Sequence, residues 1–346
     1  MSNKTHTMLF VLGLIILGFL IWDFGISNII LNIRKLSWWF LVITAIWGVV
    51  YLINALAWYI ILGKDREKVS FARVFGIGIS GFAINYITPF VNLGGEPYRV
   101  SALRNSLGIE KAISAVTLYR MVHILAHLIF WLCIIPVSFI VLPKTAGLTA
   151  LLTGIFAAVL FLIIFFFSRH RKGIFEAILN LLKVVPFLKF ISRRIEKYRD
   201  SIIVIDGQIK DLFNRRKGSF YSALFLEYIS RFVASVEFFV VLGALGINIS
   251  FSQAFFIHAA SSLFLNIFFF MPLEMGTREG SLFLVFQAFN FNPEISIFVG
   301  LVNRTRELFW ILIGIFLIQI NNKKTKGLVN SNLTEDPGSS YEGNNI

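Results

Sequence analysis

Long apolar runs, not alternating or amphipathic patterns, dominate this chain. They cover Met8–Phe24, Ser37–Leu62, Val74–Gly94, Ala112–Leu142, Gly147–Ser168, Ser219–Leu245, Phe251–Phe291 and Ile295–Ile320. A helix needs about 20 apolar residues to cross ~30 Å of hydrocarbon, so the pattern predicts an all-α, polytopic helical membrane protein. The first run follows Lys4 and has no small-residue cleavage site after it, which predicts an uncleaved span. Two runs are interrupted. Val74–Gly94 contains Gly76, Gly78, Gly81, Pro89 and Gly94, and Phe251–Phe291 contains Pro272. The expectation is about six full spans plus two re-entrant or broken helical elements, within a membrane domain covering residues 1–320. The polar residues 321–346 are expected to form a disordered cytoplasmic tail.

Basic residues set the sidedness. The stretch Arg169–Lys217 holds 13 Lys/Arg against 5 Asp/Glu, and the tail carries Lys323, Lys324 and Lys326. Both are expected in the cytoplasm, as is the N-terminus. Counting backward, the loops Lys64–Arg73 and Arg99–Lys111 also fall inside, so Val74–Gly94 must dip in and return. The flanks of Phe251–Phe291, Gly246–Ser250 and Asn292–Glu294, hold no Lys or Arg and read as outside. The run reads as a second hairpin or as two short crossings. Within 169–217, Ile195, Tyr198, Ile202, Ile205, Ile209 and Leu212 recur three or four apart among Arg193, Arg194, Lys197 and Lys210. That spacing predicts an amphipathic helix on the inner leaflet.

Composition removes whole classes of function. Of 346 residues, 57% are hydrophobic and 15% charged, against 45–50% and ~25% in soluble domains. Net charge is +13. In this context it signals cytoplasmic loops and anionic lipid heads, and no nucleic-acid partner is expected. Cys133, the single cysteine, excludes an internal disulfide and is expected as a small buried residue.

Pro89-Phe-Val-Asn-Leu-Gly-Gly-Glu96 and Pro272-Leu-Glu-Met-Gly-Thr-Arg-Glu279 align without gaps. Each follows an Asn in an apolar run (Asn85, Asn266). Entering from opposite faces, such segments form an inverted repeat, the architecture of alternating-access transporters. The motif Asn92-Leu93-Gly94-Gly95-Glu96-Pro97-Tyr98-Arg99, with Pro272 … Gly276-Thr277-Arg278-Glu279-Gly280, resembles the lysylphosphatidylglycerol synthase transmembrane-region (flippase-like domain) family. The resemblance extends from the first span to Ile320. It implies a polytopic domain that moves aminoacylated or other phospholipids between leaflets of a bacterial cytoplasmic (inner) membrane. Two-part members add a soluble aminoacyl-transferase domain, which this chain is expected to lack. Leu273-Glu274-Met275 stand where the family usually has more glycine after the proline.

Charges inside spans are costly, about 2.5–3.5 kcal/mol each by insertion scales, and need partners or a wet cavity. Glu96, Arg99, Arg120, Arg278, Glu279, Arg304 and Glu307 are expected to bind substrate. Arginine suits a phosphate and glutamate an ammonium, so the partners expected are anionic, zwitterionic or aminoacylated phospholipids. Asn85, Pro89, Gly94, Gly95, Pro272, His123, His127, Glu227, Arg231 and Glu237 are expected to serve structure or coupling. Glu227 and Arg231 are four apart, so they can pair on one helix face.

No cofactor or metal is expected. His123 and His127 have ligand spacing, but the chain holds five His in all. Gly78-Ile79-Ser80-Gly81 matches a serine-protease pattern only as a glycine-rich turn does. The expected activity is lipid transport without catalysis. An intramembrane transferase using Glu96 or Glu279 as base, and a membrane interaction subunit, are the alternatives.

Overall fold

The computed structural model describes residues 22, 26–87, 94–141, 145–169, 176, 179, 196, 199–268, 274, 276–292 and 294–334. The run Met8–Phe24 lies outside them except for Trp22, as do Pro89, Pro272 and most of 170–198. The described chain is helical. Its α-helices are α1 (Ile26–Leu36), α2 (Trp39–Leu62), α3 (Phe71–Ile87), α4 (Gly95–Leu107), α5 (Ile109–Val141), α6 (Ala146–Arg169), α7 (Arg199–Asn214), α8 (Lys217–Ala244), α9 (Phe251–Ile267), α10 (Thr277–Ala288) and α11 (Glu294–Thr334), with a short 3-10 helix at Gly63–Lys68.

Among the described residues, three helical segments are long and apolar enough to cross a membrane unaided: Trp39–Lys68, Ile109–Phe139 and Ala146–Ser168. The long helices α8 and α11 carry charges at their centres. The tail expected to be disordered continues α11 as far as Thr334. Extending a formed helix fixes one residue per hydrogen bond and avoids the nucleation cost.

Two helical hairpins form a matched pair, but the first is not Val74–Gly94 alone: its returning limb is α4, Gly95–Leu107, where an inside loop was expected. Helices α3 and α4, of 17 and 13 residues, are antiparallel. Arg73 on α3 donates to Ser106 Oγ (2.9 Å) and to the Ala102 carbonyl (3.1 Å) near the end of α4. The start of α4 returns to the end of α3, where the Gly95 amide donates to Asn85 Oδ1 at 2.6 Å. Helices α9 and α10, of 17 and 12 residues, repeat the arrangement. Ser261 and Ser281 hydrogen-bond at 3.0 Å, and Phe256 meets Phe289 edge to face. At 1.5 Å per residue these helices are ~18–26 Å long, short of a full crossing. Helices α9 and α10 thus pack against each other as the two limbs of a second hairpin.

The hairpins open toward opposite ends of the molecule. Helices α2 and α8 pack antiparallel at the centre: Arg216, before α8, donates to the Ile61 carbonyl at 2.6 Å at the end of α2, while Trp47 near the start of α2 reaches Glu237 late in α8. The first hairpin opens where α2 ends, and the second opens where α8 ends. Each repeat is then a long helix, a short hairpin and a long helix: α2, α3–α4, α5 and α8, α9–α10, α11.

Two apolar clusters hold this frame. One gathers Trp58, Ile61, Val74, Leu103, Tyr119, Leu212 and Phe220; the other gathers Phe40, Ile43, Phe130, Val241, Phe256, Leu282 and Phe286. The charged residues lie between them. The amphipathic helix is described only from Arg199. Its Ile209, Leu212 and Phe213 are buried, and Phe213 packs on Phe166 and Phe220. Its apolar stripe therefore seals the end of the bundle, and of its described large apolar residues Ile203 and Val204, on another face, are exposed. Cys133, expected to be buried, is exposed on α5. In lipid, an outward apolar position costs nothing.

The hairpin contact at Gly95 is very close. A methyl there would sit 2.2 Å from the Gly81 carbonyl oxygen and 2.7 Å from Asn85 Oδ1, closer than atoms approach. Gly95→Val is expected to lower the melting temperature in detergent, by the roughly 1–3 kcal/mol typical of overpacking. Gly154→Ala, with no neighbour within 4 Å, is expected to leave it unchanged.

Candidate functional site

A cavity of about 330 Å³ lies between the two hairpins and the central helices. Its walls come from α2, α3, α4, α5, α8, α9, α10, α11 and the turn before α10. Four of the substrate-binding candidates line it: Arg99, Arg120, Arg278 and Glu307. Asn85, His123, His127, Arg231 and Glu237 line it too. Arg120, His123 and His127 share one face of α5, as their spacing requires.

At the end near the first hairpin, Arg99 holds Glu96 at 2.8 Å, and Arg120 approaches the same carboxylate at 3.8 Å. The Arg99 side chain crosses Gly81, where any Cβ would meet its Nε at 2.5 Å. Deeper in, Glu227 is fully buried, accepts from Arg231 Nη2 at 3.1 Å and sits 2.8 Å from His123 Nδ1. The sequence pairing of Glu227 with Arg231 is present, with His123 as a third member. His123 and His127 stack edge to face with centroids 5.0 Å apart. Among the described residues, no three His, Cys, Asp or Glu converge as a metal site would require.

At the opposite end, Glu237 finds the partner its own helix lacks. Arg306 lies 3.2 Å away, and the Trp47 indole donates to Glu237 Oε2 at 2.7 Å. The guanidinium of Arg306 rests 3.8 Å from the Trp47 ring centre, a cation–π contact. The Asn303 amide, turned to satisfy both its ends, donates to Glu237 Oε1 at 3.0 Å. Arg278 donates to Glu307 Oε1 at 2.7 Å and to Glu274 Oε2.

The two motif glutamates do not meet. Neither Glu96 nor Glu279 is among the residues lining the cavity. Glu279 pairs with Arg304, at 2.7 and 3.0 Å, and Glu96 lines a separate surface groove with Pro97, Val100 and Arg104. Each motif delivers an arginine to the cavity (Arg99, Arg278). Arg304 and Glu307, three apart on α11, reach different partners on the second hairpin.

Several lining residues escaped the sequence reading. Arg306 is not one of them: standing beside Arg304 and Glu307 in the last apolar run, it carried a signal for the same polar cavity. Glu274 stood inside the motif and was counted only as a departure from it. Trp47, Trp58, His258 and Asn303 gave none, because aromatic and amide residues are common in spans and only the packing shows which way they face.

The lysylphosphatidylglycerol synthase transmembrane region matches residues 8–314. The chain belongs to this family. It is similar to the UPF0104 membrane protein PH1989 of Pyrococcus horikoshii, at 21% identity over 91% of this chain and 97% of the relative. It is also similar to the UPF0104 membrane protein MJ1595 of Methanocaldococcus jannaschii, at 25% identity over 71% of this chain and 74% of the relative. No solved structure is a significant match. Family membership makes this a membrane protein, and its relatives carry a membrane label and no activity.

Arg306 and Glu237 are each less than a twentieth exposed. Removing one partner of such a pair strands a buried charge, at about 3–5 kcal/mol. Arg306→Met is expected to destabilise the protein by about that amount in detergent unfolding. Arg306→Met combined with Glu237→Met is expected to recover most of the loss.

Proposed function

We propose that this protein moves a phospholipid, or another lipid with a charged head group, between membrane leaflets. The observation that carries the reading is the charged cavity between two oppositely opening hairpins. A head group too polar for hydrocarbon finds there arginines for its phosphate and a wall of Trp, Tyr and His. The acyl chains need no such shelter and stay in lipid.

The inverted repeat supports the mechanism. Two similar halves packed antiparallel exchange roles when one rocks against the other, and the central chamber then opens to each face in turn. The close α3–α11 contact, where Ser80 donates to the Gly314 carbonyl at 3.1 Å, ties the first hairpin to the last helix. Those two elements would move as one body. The basic loop Gly63–Arg73, the Arg215–Lys217 turn before α8 and the end of α11 all lie at the open end of the first hairpin. By the positive-inside rule that end faces the cytoplasm, and in a bacterium the membrane is the inner one. The same cavity in a transferase would need a donor substrate and would yield a covalent product.

The test is reconstitution in sealed vesicles with acyl-labelled phospholipid and a membrane-impermeant quencher. Wild-type protein is expected to expose inner-leaflet lipid to the quencher. Arg99→Ala and Arg231→Gln are expected to slow this by at least about ten-fold, the effect of losing one charge-assisted contact, while still inserting. A wild-type rate in both variants contradicts the proposal. A covalently altered lipid formed in detergent favours the transferase.

A further inference from the structure

Glu227 is fully buried on α8 and does not itself line the chamber. The side chains that hold it do. Arg231 Nη2 donates to its Oε2 at 3.1 Å, and His123 Nδ1 lies 2.8 Å from the same oxygen. Arg231 Nη2 also stands 3.1 Å from His123 Nδ1, so the three side chains close a triangle. Arg231 and His123 are both in the chamber wall. Glu227 Oε1, the other oxygen, has no hydrogen-bond partner, and neither has Arg231 Nε.

The elements around this triangle add no second cation in contact with Glu227. Helix α2 carries no charged side chain and stacks Trp58 on Tyr119. Helix α7 packs elsewhere on α8, through Phe213 and Phe220. Helix α4 brings Arg99 and α5 brings Arg120 within electrostatic reach of Glu227, but both are tied to Glu96. Helix α5 also brings the Tyr119 hydroxyl to Glu227 and His127 beside His123. Helix α9 brings His258 within reach of Arg231. Among the described residues, Arg231 is therefore the guanidinium that Glu227 depends on.

A head-group phosphate in the chamber competes for that guanidinium. If it draws Arg231 inward, Glu227 loses its cation. An ionised carboxylate stranded in a fully buried site is heavily disfavoured, whereas a neutral carboxylic acid that donates its hydrogen is not. The acceptor is in place, since His123 Nδ1 is at hydrogen-bond distance. The carboxylate oxygen gains a proton, its charge falls from negative to zero, and no other bond changes. That proton comes from chamber water by way of His123. Of the neighbours of Glu227 in the wall, imidazole alone accepts and releases a proton readily near neutral pH; guanidinium and phenol hold theirs.

Resting on the transport reading above, we infer that Glu227 takes up one proton when a head-group phosphate takes Arg231 from it, so that lipid and proton cross the membrane together. Each ligand strengthens the binding of the other by the same factor. When the chamber opens to the opposite leaflet, departure of the lipid returns Arg231 to Glu227, and the proton leaves through His123. A pH difference across the membrane is then the energy source, and it drives lipid toward the alkaline side. A head group of single negative charge crosses with its proton as a neutral pair, so the membrane potential adds nothing.

The experiment uses the full chain in sealed vesicles holding a trace of acyl-labelled phosphatidylglycerol. Potassium and valinomycin on both sides hold the potential at zero, and an impermeant quencher reads the leaflet distribution. With the outside about one pH unit more acidic, wild type is expected to enrich the label in the inner leaflet toward about ten-fold, the limit for one proton per lipid. Glu227→Gln keeps the shape and cannot ionise, and is expected to leave the distribution even. An even distribution in wild type although lipid moves, or enrichment kept in Glu227→Gln, overturns the inference and leaves transport standing. If wild type moves the lipid no faster than protein-free vesicles do, the transport reading fails for this lipid and proton uptake in weakly buffered detergent decides the inference. Glycerophosphoglycerol must then cause wild type to take up about one proton per protein, and Glu227→Gln none. No uptake by wild type, or equal uptake by both, overturns it. Should Glu227→Gln not fold, His123→Gln decides by the same uptake: its amount is expected to stay and its rate to fall at least about ten-fold, because the store is intact and the path is lost. A wild-type rate in His123→Gln overturns the inference.

Discussion

A charge inside a bilayer must find a partner, and this fold is arranged around that requirement. Helix α8 carries Glu227, Arg231 and Glu237 through its middle, and α11 carries Arg304, Arg306 and Glu307. Neither helix could lie alone in hydrocarbon at a bearable cost. Each is matched by charges from other elements: Arg306 reaches Glu237 across from α11, His123 reaches Glu227 from α5, and Arg278 reaches Glu307 from the second hairpin. The two hairpins bring Arg99 and Arg278 to the chamber, where each guanidinium finds a carboxylate. Remove the charges and the hairpins lose their reason. Remove the hairpins and the charges lose their partners.

Packing then fixes where the charges stand. The apolar clusters at either end leave a polar layer between them, so the chamber is held open by rigid helices on both sides. Close contacts without side chains, such as that at Gly95, let the hairpin helices approach within a few ångströms. That brings Arg99 from a short surface-like helix into the centre of the molecule. The design separates two roles: glycine and aromatic packing give shape, and ion pairs give polarity.

Much of this was legible in the sequence. The all-helical membrane architecture follows from run length and composition, but the first hairpin was misplaced: Val74–Gly94 was expected to dip in and return by itself, whereas one helix runs to Ile87 and the returning limb is Gly95–Leu107, which its charges made read as a loop. The paired motifs announced an inverted arrangement before any contact was known. Long-range pairing was not legible. Glu237 and Arg306 are 69 residues apart, and nothing in either local context names the other. The motif glutamates were the most visible residues, yet neither lines the cavity: Glu96 is held by Arg99 and Arg120, and Glu279 by Arg304.

The account stands on two hairpins opening to opposite faces of the membrane. Asn105, at the open end of the first, and Asn292, beyond the open end of the second, are both exposed. Single cysteines Asn105→Cys and Asn292→Cys in a Cys133→Ala background, labelled with a membrane-impermeant maleimide in oriented vesicles, report the side of each directly. Labelling of the two positions from opposite sides is the predicted result. Labelling of both from the same side would contradict the inverted repeat and with it the shared chamber.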